Sequence, residues 1–218
     1  MKKALTIGEL LVTMAIIGII ATLVLPGFIQ DYHKKVYTAK VKKMVEMMDA
    51  AIAQACADSN ASYFYQTQYA EPENYAKQKE FIEKYLKVVS KNSVTQSYKA
   101  IRGGATANHM YTDRLAGGEY VDFKCWNNSS SDKTCDLWFD INGSDGPNVG
   151  GRDVFVLTLM VKDNKFHGAY PEKCGGALRG ASETEEAYVA RMQSSTTYDA
   201  AGIGCFAHLI YDNWEMKY

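Results

Sequence analysis

The stretch that decides the fold is MKKALTIGELLVTMAIIGIIATLVLPGF, residues 1–28. Two lysines lead into an apolar run, and one carboxylate, Glu9, sits inside it. No charge falls between Leu10 and Leu25. From Leu5 to Phe28 the run is roughly 24 residues, long enough for a helix to cross a hydrocarbon core of about 30 Å. Lys2 and Lys3 favour a cytoplasmic N-terminus. A cleaved secretory signal peptide shares the basic start and apolar core, but LVLPGF offers no small-x-small cleavage site at the end of the run. A plain membrane anchor accounts for length and orientation yet leaves Glu9 without a purpose. An ionisable residue in a membrane helix calls for a named partner.

Beyond Pro26 the pattern turns amphipathic. Val41, Val45, Met48, Ile52 and Ala55 recur at helical spacing, while Lys40, Lys42, Lys43, Glu46 and Asp49 take other faces. One helix from about Leu5 to about Ala57 is expected, ended by DSNAS. Its first half is apolar all round, and its second half offers one stripe to a soluble domain. Pro26 removes a backbone donor, and Gly18 costs about 1 kcal/mol against Ala, so both soften the helix. Met44, Met47 and Met48 read as core filler.

Leader, acid, glycine and proline together resemble the N-terminus of the type IV pilin and pseudopilin superfamily. In that family a short basic leader ends in a small residue, usually Gly, before the cut. The mature chain then opens with a hydrophobic residue, often followed by Thr, and carries Glu at its fifth position. Here Lys2 and Lys3 form the leader and Ala4 precedes the cut. Leu5 is the new N-terminus, Thr6 follows it, and Glu9 is fifth. Ala4 stands where Gly is usual and Leu5 where Phe is usual. A cut after Gly8 would put Thr13 at the fifth position and lose the acid, so that register is rejected. The resemblance covers about the first quarter of the chain.

It implies cleavage by a prepilin peptidase between Ala4 and Leu5 and N-methylation of Leu5. The subunit is then stored in the inner membrane and polymerised by an inner-membrane assembly platform into a helical homo-oligomer. Glu9 would pair with the α-amino group of the neighbouring copy, since a buried charge is tolerable when paired. The competing reading is a Glu that snorkels to the cytoplasmic interface, one turn from the helix start. The domains expected are a leader (1–4), a transmembrane and assembly helix (5–28), its amphipathic continuation (29–59) and a soluble pilin-like domain (60–218).

In that domain NYAKQKEFIEKYLKVVSK suits an amphipathic helix through Phe81, Ile82, Tyr85, Leu86 and Val89. GGATANHM and LAGGEY read as loops. YVDFKCW, TCDLWFDIN and VFVLTLMVKDNKFHGAY read as strands, the last turning at Asp163-Asn164. Strands in succession after a helix give an α+β class, a long helix on an antiparallel sheet, as the resemblance also implies. There are 15 Tyr against 8 Phe, which suits half-buried surfaces or interfaces.

DINGSDGPNVGGRDVF gathers Asp140, Asn142, Ser144, Asp145, Asn148 and Asp153 around glycines. Hard oxygens at such spacing can hold calcium, and some pseudopilins carry a calcium loop in a comparable region. Asn-Gly, Asp-Gly and Gly-Pro are equally strong turn formers, so both readings stand. The glycine position and the missing closing Glu exclude an EF-hand. GRDVF and the chain end GIGCFAHLIYDNWEMKY resemble segments of pilin-like proteins from Gram-negative bacteria.

With the N-terminus inside, the domain after Phe28 is periplasmic or at the cell surface, where disulfides persist. Cys125 and Cys135 lie on adjacent strand-like runs, Cys174 and Cys205 form a second candidate pair, and Cys56 is left over. No C-x-x-C is present, and His33, His109, His167 and His208 show no metal spacing. His208 after Cys205 reads as a surface residue beside a structural cysteine. No nucleophile elbow, P-loop or zinc-protease signature appears, so no enzyme is expected. The net charge of -1, with no basic face, argues against nucleic-acid binding. The expected role is a filament subunit. The alternatives are a pseudopilin of a type II secretion system and a minor or adhesive tip pilin.

Overall fold

The computed structural model describes residues 6–99, 106–127, 133–160 and 165–168, with Phe206, Leu209 and 212–216 near the C-terminus. The chain divides into two compact units, Met1–Val36 and Tyr37–Tyr218. A single helix, α1, spans Ile7–Asp58 and continues through Pro26. In the first unit its side chains are almost all exposed, including Ile7 through Ile29 on every face.

From Tyr37 onward α1 behaves as a core helix. Val41, Met44, Met48, Ala51, Ile52, Ala55 and Cys56 are buried at i, i+3, i+4 spacing. Val45, placed on the stripe by its spacing, lies at its edge, and Met44 takes the buried position. After two short 3-10 turns comes α2 (Tyr75–Tyr85), whose N-cap Asn74 accepts the Lys77 amide. The expected helix ends earlier than its apolar spacing suggests. Leu86 is extended, and Val89 belongs to strand β1 (Val88–Ser90), where β-branched residues sit comfortably.

The strands β2 (Val94–Lys99), β3 (Thr106–Tyr111), β4 (Asp113–Leu115), β5 (Tyr120–Asn127), β6 (Lys133–Asp140), β7 (Val154–Met160) and β8 (Lys165–Gly168) complete the order. All pairings between them are antiparallel. A six-stranded sheet runs β1-β4-β5-β6-β7-β8, and β2 and β3 form a separate hairpin. The α+β class is therefore observed, with a long N-terminal helix and an antiparallel sheet. GGATANHM was expected as a loop, yet its second half is β3. Its faces differ by pairing rather than by strong apolar alternation: Val94↔Tyr111, Gln96↔His109 and Tyr98↔Ala107 share one side. The turn residues Asp163 and Asn164 lie outside the described residues.

Register sorts the sheet into two chemically different faces. Phe123↔Leu137↔Leu157, Cys125↔Cys135↔Leu159 and Val121↔Phe139↔Phe155 present apolar side chains. Phe64 and Phe81 meet Phe123 there at ring separations of 6.0 and 5.3 Å, and Tyr69 packs on Phe81 at 5.7 Å. Asp122↔Trp138↔Val156 and Lys124↔Asp136↔Thr158 face the other way. The β2–β3 hairpin covers part of that second face through Tyr98, packed with Val154, Val156 and Trp138. Unit two is thus a helix layer, a sheet and a hairpin layer.

Candidate functional site

Thr6 starts α1 as a capping residue. Its backbone N–H and hydroxyl donate to Glu9 Oε2 at 2.9 Å each, and the Glu9 N–H donates to Thr6 Oγ1 at 3.2 Å. This is the reciprocal capping box of a Thr-x-x-Glu sequence. The carboxylate also sits at the positive end of the helix dipole. The signal is legible in the sequence as the Thr-x-x-Glu spacing of Thr6-Ile7-Gly8-Glu9. Ala4 and Leu5, the two sides of the expected cut, lie outside the described residues.

The rest of the apolar half is prepared for a water-free setting. The Thr13 and Thr22 hydroxyls donate to Leu10 O (2.9 Å) and Ile19 O (2.8 Å) of their own helix, so neither needs solvent. A Cβ added at Gly8, Gly18 or Gly27 would meet nothing within 4 Å. Gly18 therefore serves no close contact within the chain. The most apolar stretch of α1 buries nothing in the protein. The helix is long and apolar enough to cross a membrane, in keeping with a single-pass anchor.

Cys125 and Cys135 are directly opposite on β5 and β6 and form a disulfide. Cys174 and Cys205, with His208, lie outside the described residues. Cys56 is a buried free thiol, pushed above its usual pKa by burial.

The 140–153 loop is drawn inward by its own acids. Asp140 Oδ1 accepts the amides of Asn142 (3.2 Å) and Gly143 (2.9 Å). Asp153 accepts Asn148 N at Oδ2 (2.8 Å), Val149 N at Oδ1 (2.5 Å) and the Asn142 side-chain amide at Oδ2 (3.3 Å). Gly143 has φ 65°, and a Cβ there would lie 2.6 Å from Gly118 O, so only glycine fits. Burial raises both acids, Asp140 to about 7, with Asp153 adding to the effect and the Asn142 and Gly143 amides opposing it. Calcium takes six to eight oxygens. Here the carboxylates face N–H donors, and Ser144 and Asp145 are exposed outside the cluster. Among the described residues no group of three or more His, Cys, Asp or Glu could hold a metal. The donor set fits a carboxylate-capped turn. Asn142 Oδ1 and Asn148 Oδ1 are buried with no donor among the described residues.

A second polar cluster was not visible in the sequence. His109 Nε2 lies 3.0 Å from Asp122 Oδ2, which Lys124 Nζ also meets at 2.6 Å. The His109 ring stacks on Trp138 at 3.9 Å. These residues come from β3, β5 and β6, so only strand register unites them. Asp136 is enclosed nearby on the same face, accepting from the Thr158 hydroxyl at 2.6 Å. Burial raises it to about 7, and the Thr158 bond opposes the shift.

No known protein family, curated protein or solved structure matches the chain.

Proposed function

We propose that the chain is a structural, non-catalytic subunit of a type IV pilus-like filament. It is cut by a prepilin peptidase between Ala4 and Leu5, N-methylated at Leu5, held in the inner membrane with its second unit periplasmic, and polymerised through α1 by an assembly platform. The observation that carries the reading is α1 itself. From Ile7 to Ile29 its large apolar side chains are exposed, while from Val41 to Cys56 the same helix is core. A plain anchor explains the first half. What a plain anchor does not call for is the leader Lys2-Lys3-Ala4 with Glu9 fifth after it, the pattern of the pilin resemblance.

The capping box refines the role of Glu9. In the single subunit the acid is satisfied by Thr6, so pairing with a neighbour's α-amino group would be an exchange of partners rather than rescue of a bare charge. That exchange keeps the stored subunit tolerable in lipid and still rewards assembly, because an ion pair excluded from water is a strong interaction. Residues 37–218 would be displayed outside the membrane, where the Cys125–Cys135 bridge persists.

N-terminal sequencing of the mature protein tests the processing, with Leu5 expected first. In cells holding the native assembly machinery, Glu9→Ala is expected to insert normally and to lose most filament yield. Full yield from that variant, or mature protein starting at Met1, would remove the basis of the reading.

A further inference from the structure

Two neighbouring clefts lie beside the second half of α1. The first, about 210 Å³, has Lys40, Lys43, Lys87 and Glu119 at its walls over Met44 and Phe139. The second, about 360 Å³, shares Met47 and Lys87 with it and continues to Lys84 and Gln54. Together they make one groove with an apolar floor and a basic rim. Lys40 is committed to Ile141 O at 2.8 Å and Lys84 to Asp58 at 2.9 Å. Lys43 and Lys87 are exposed, and no ion pair among the described residues involves them. Glu119 is the one acid in the lining.

The opposite end of α2 carries the complementary charge. Glu71 and Glu73 are exposed on the turn that leads into the helix, whereas Lys84 and Lys87 mark its exit. The nearby cations there are already engaged, Lys77 with Glu80 at 2.8 Å and Lys124 with Asp122 at 2.6 Å. Glu71 accepts the Asn74 amide at 2.7 Å, and no ion pair among the described residues involves Glu73. With 11 residues in α2, the acidic and basic poles are about 16 Å apart along one element.

We propose that this groove receives the Glu71–Glu73 turn of a second copy of the chain. The inference rests on the filament reading and names the contact between globular units that would accompany helix packing. In a filament the contact is heterologous, one copy's groove on the next copy's turn, and so repeats from copy to copy. Met44 and Met47 give a floor that adapts to an inserted turn. Lys43 and Lys87 fix its register, which is the part charge complementarity plays best.

The test uses filaments assembled from the full chain, half of the copies isotope-labelled, and a water-soluble carbodiimide that joins only amines and carboxylates in direct contact. Peptide mapping is expected to find Lys43 or Lys87 joined to Glu71 or Glu73 across labelled and unlabelled copies. Lys43→Glu with Lys87→Glu is expected to cut filament yield about tenfold, and adding Glu71→Lys with Glu73→Lys to restore it. The milder Lys43→Gln with Lys87→Gln, checked for an intact Cys125–Cys135 bridge, guards against a misfolded variant. Wild-type filaments lacking these links, or charge-reversed subunits assembling normally, overturn the groove contact and leave the filament reading standing. Wild-type subunits that never assemble beside the native machinery overturn that reading itself.

Discussion

Thr6 and Glu9 show how a single acid can be carried into an apolar helix: its own N-terminus supplies two donors 2.9 Å away. Other acids in the protein solve burial by a different route. Asp136 is enclosed between β5 and β7, with the Thr158 hydroxyl as its partner among the described residues, and its carboxyl is held up at about 7. The sign of the consequence follows from linkage. Between the ordinary carboxylate pKa and about 7, the folded chain holds a proton that the unfolded chain has released. Stability is therefore greatest below that window and falls as pH rises through it, by at most on the order of 4 kcal/mol. Melting temperature measured from pH 4 to pH 8 is expected to decline, and Asp136→Asn to flatten the decline. An unchanged slope in the variant would assign the effect to Asp140 and Asp153 instead. At the same scale, the acids of the 140–153 loop are occupied by amide donors. A strong chelator is expected to leave the melting temperature where it was, and a drop would restore the calcium reading.

At the scale of elements, the β5–β6 pair is the spine of unit two. It carries the apolar face that meets α2 and the polar face that meets the β2–β3 hairpin. The disulfide crosses this pair at Cys125 and Cys135, separated by 10 residues. Closing so short a loop is worth about 3 kcal/mol. Cys125→Ser with Cys135→Ser is expected to lower unfolding free energy by that amount in urea titration. Alkylation of the folded, unreduced wild type should leave Cys56 unlabelled, because it is buried in the core. The hairpin depends on sparser contacts, chiefly Tyr98 and His109 against Trp138. Its polar outer strand positions explain why its sequence read as a loop.

For the whole molecule, α1 serves two environments with one continuous backbone. Its first unit makes no use of the chain's core, and its second supplies part of it. Two charges placed mid-run, Ile16→Arg with Ile20→Arg, each cost about 3 kcal/mol in a bilayer centre. The wild-type chain is expected to stay with membranes through an alkaline carbonate wash and the double variant to be released. Retention of the variant would show that something other than α1 holds the protein there.

The sequence by itself determined the long helix, its switch from all-round apolar to one-sided beyond Pro26, the central strands and Cys125 with Cys135 as a candidate pair. These are written in local periodicity and spacing, which need no distant partner to be read. Only the tertiary structure decided that Val89 leaves the helix for a sheet edge and that Thr106–Tyr111 is a strand. It also decided that the 140–153 acids bind their own backbone, and it brought His109, Asp122 and Trp138 together. Each of those outcomes depends on which residues strand register sets side by side across the sheet, and on how far burial removes a carboxylate from water. Neither quantity exists until the chain has folded.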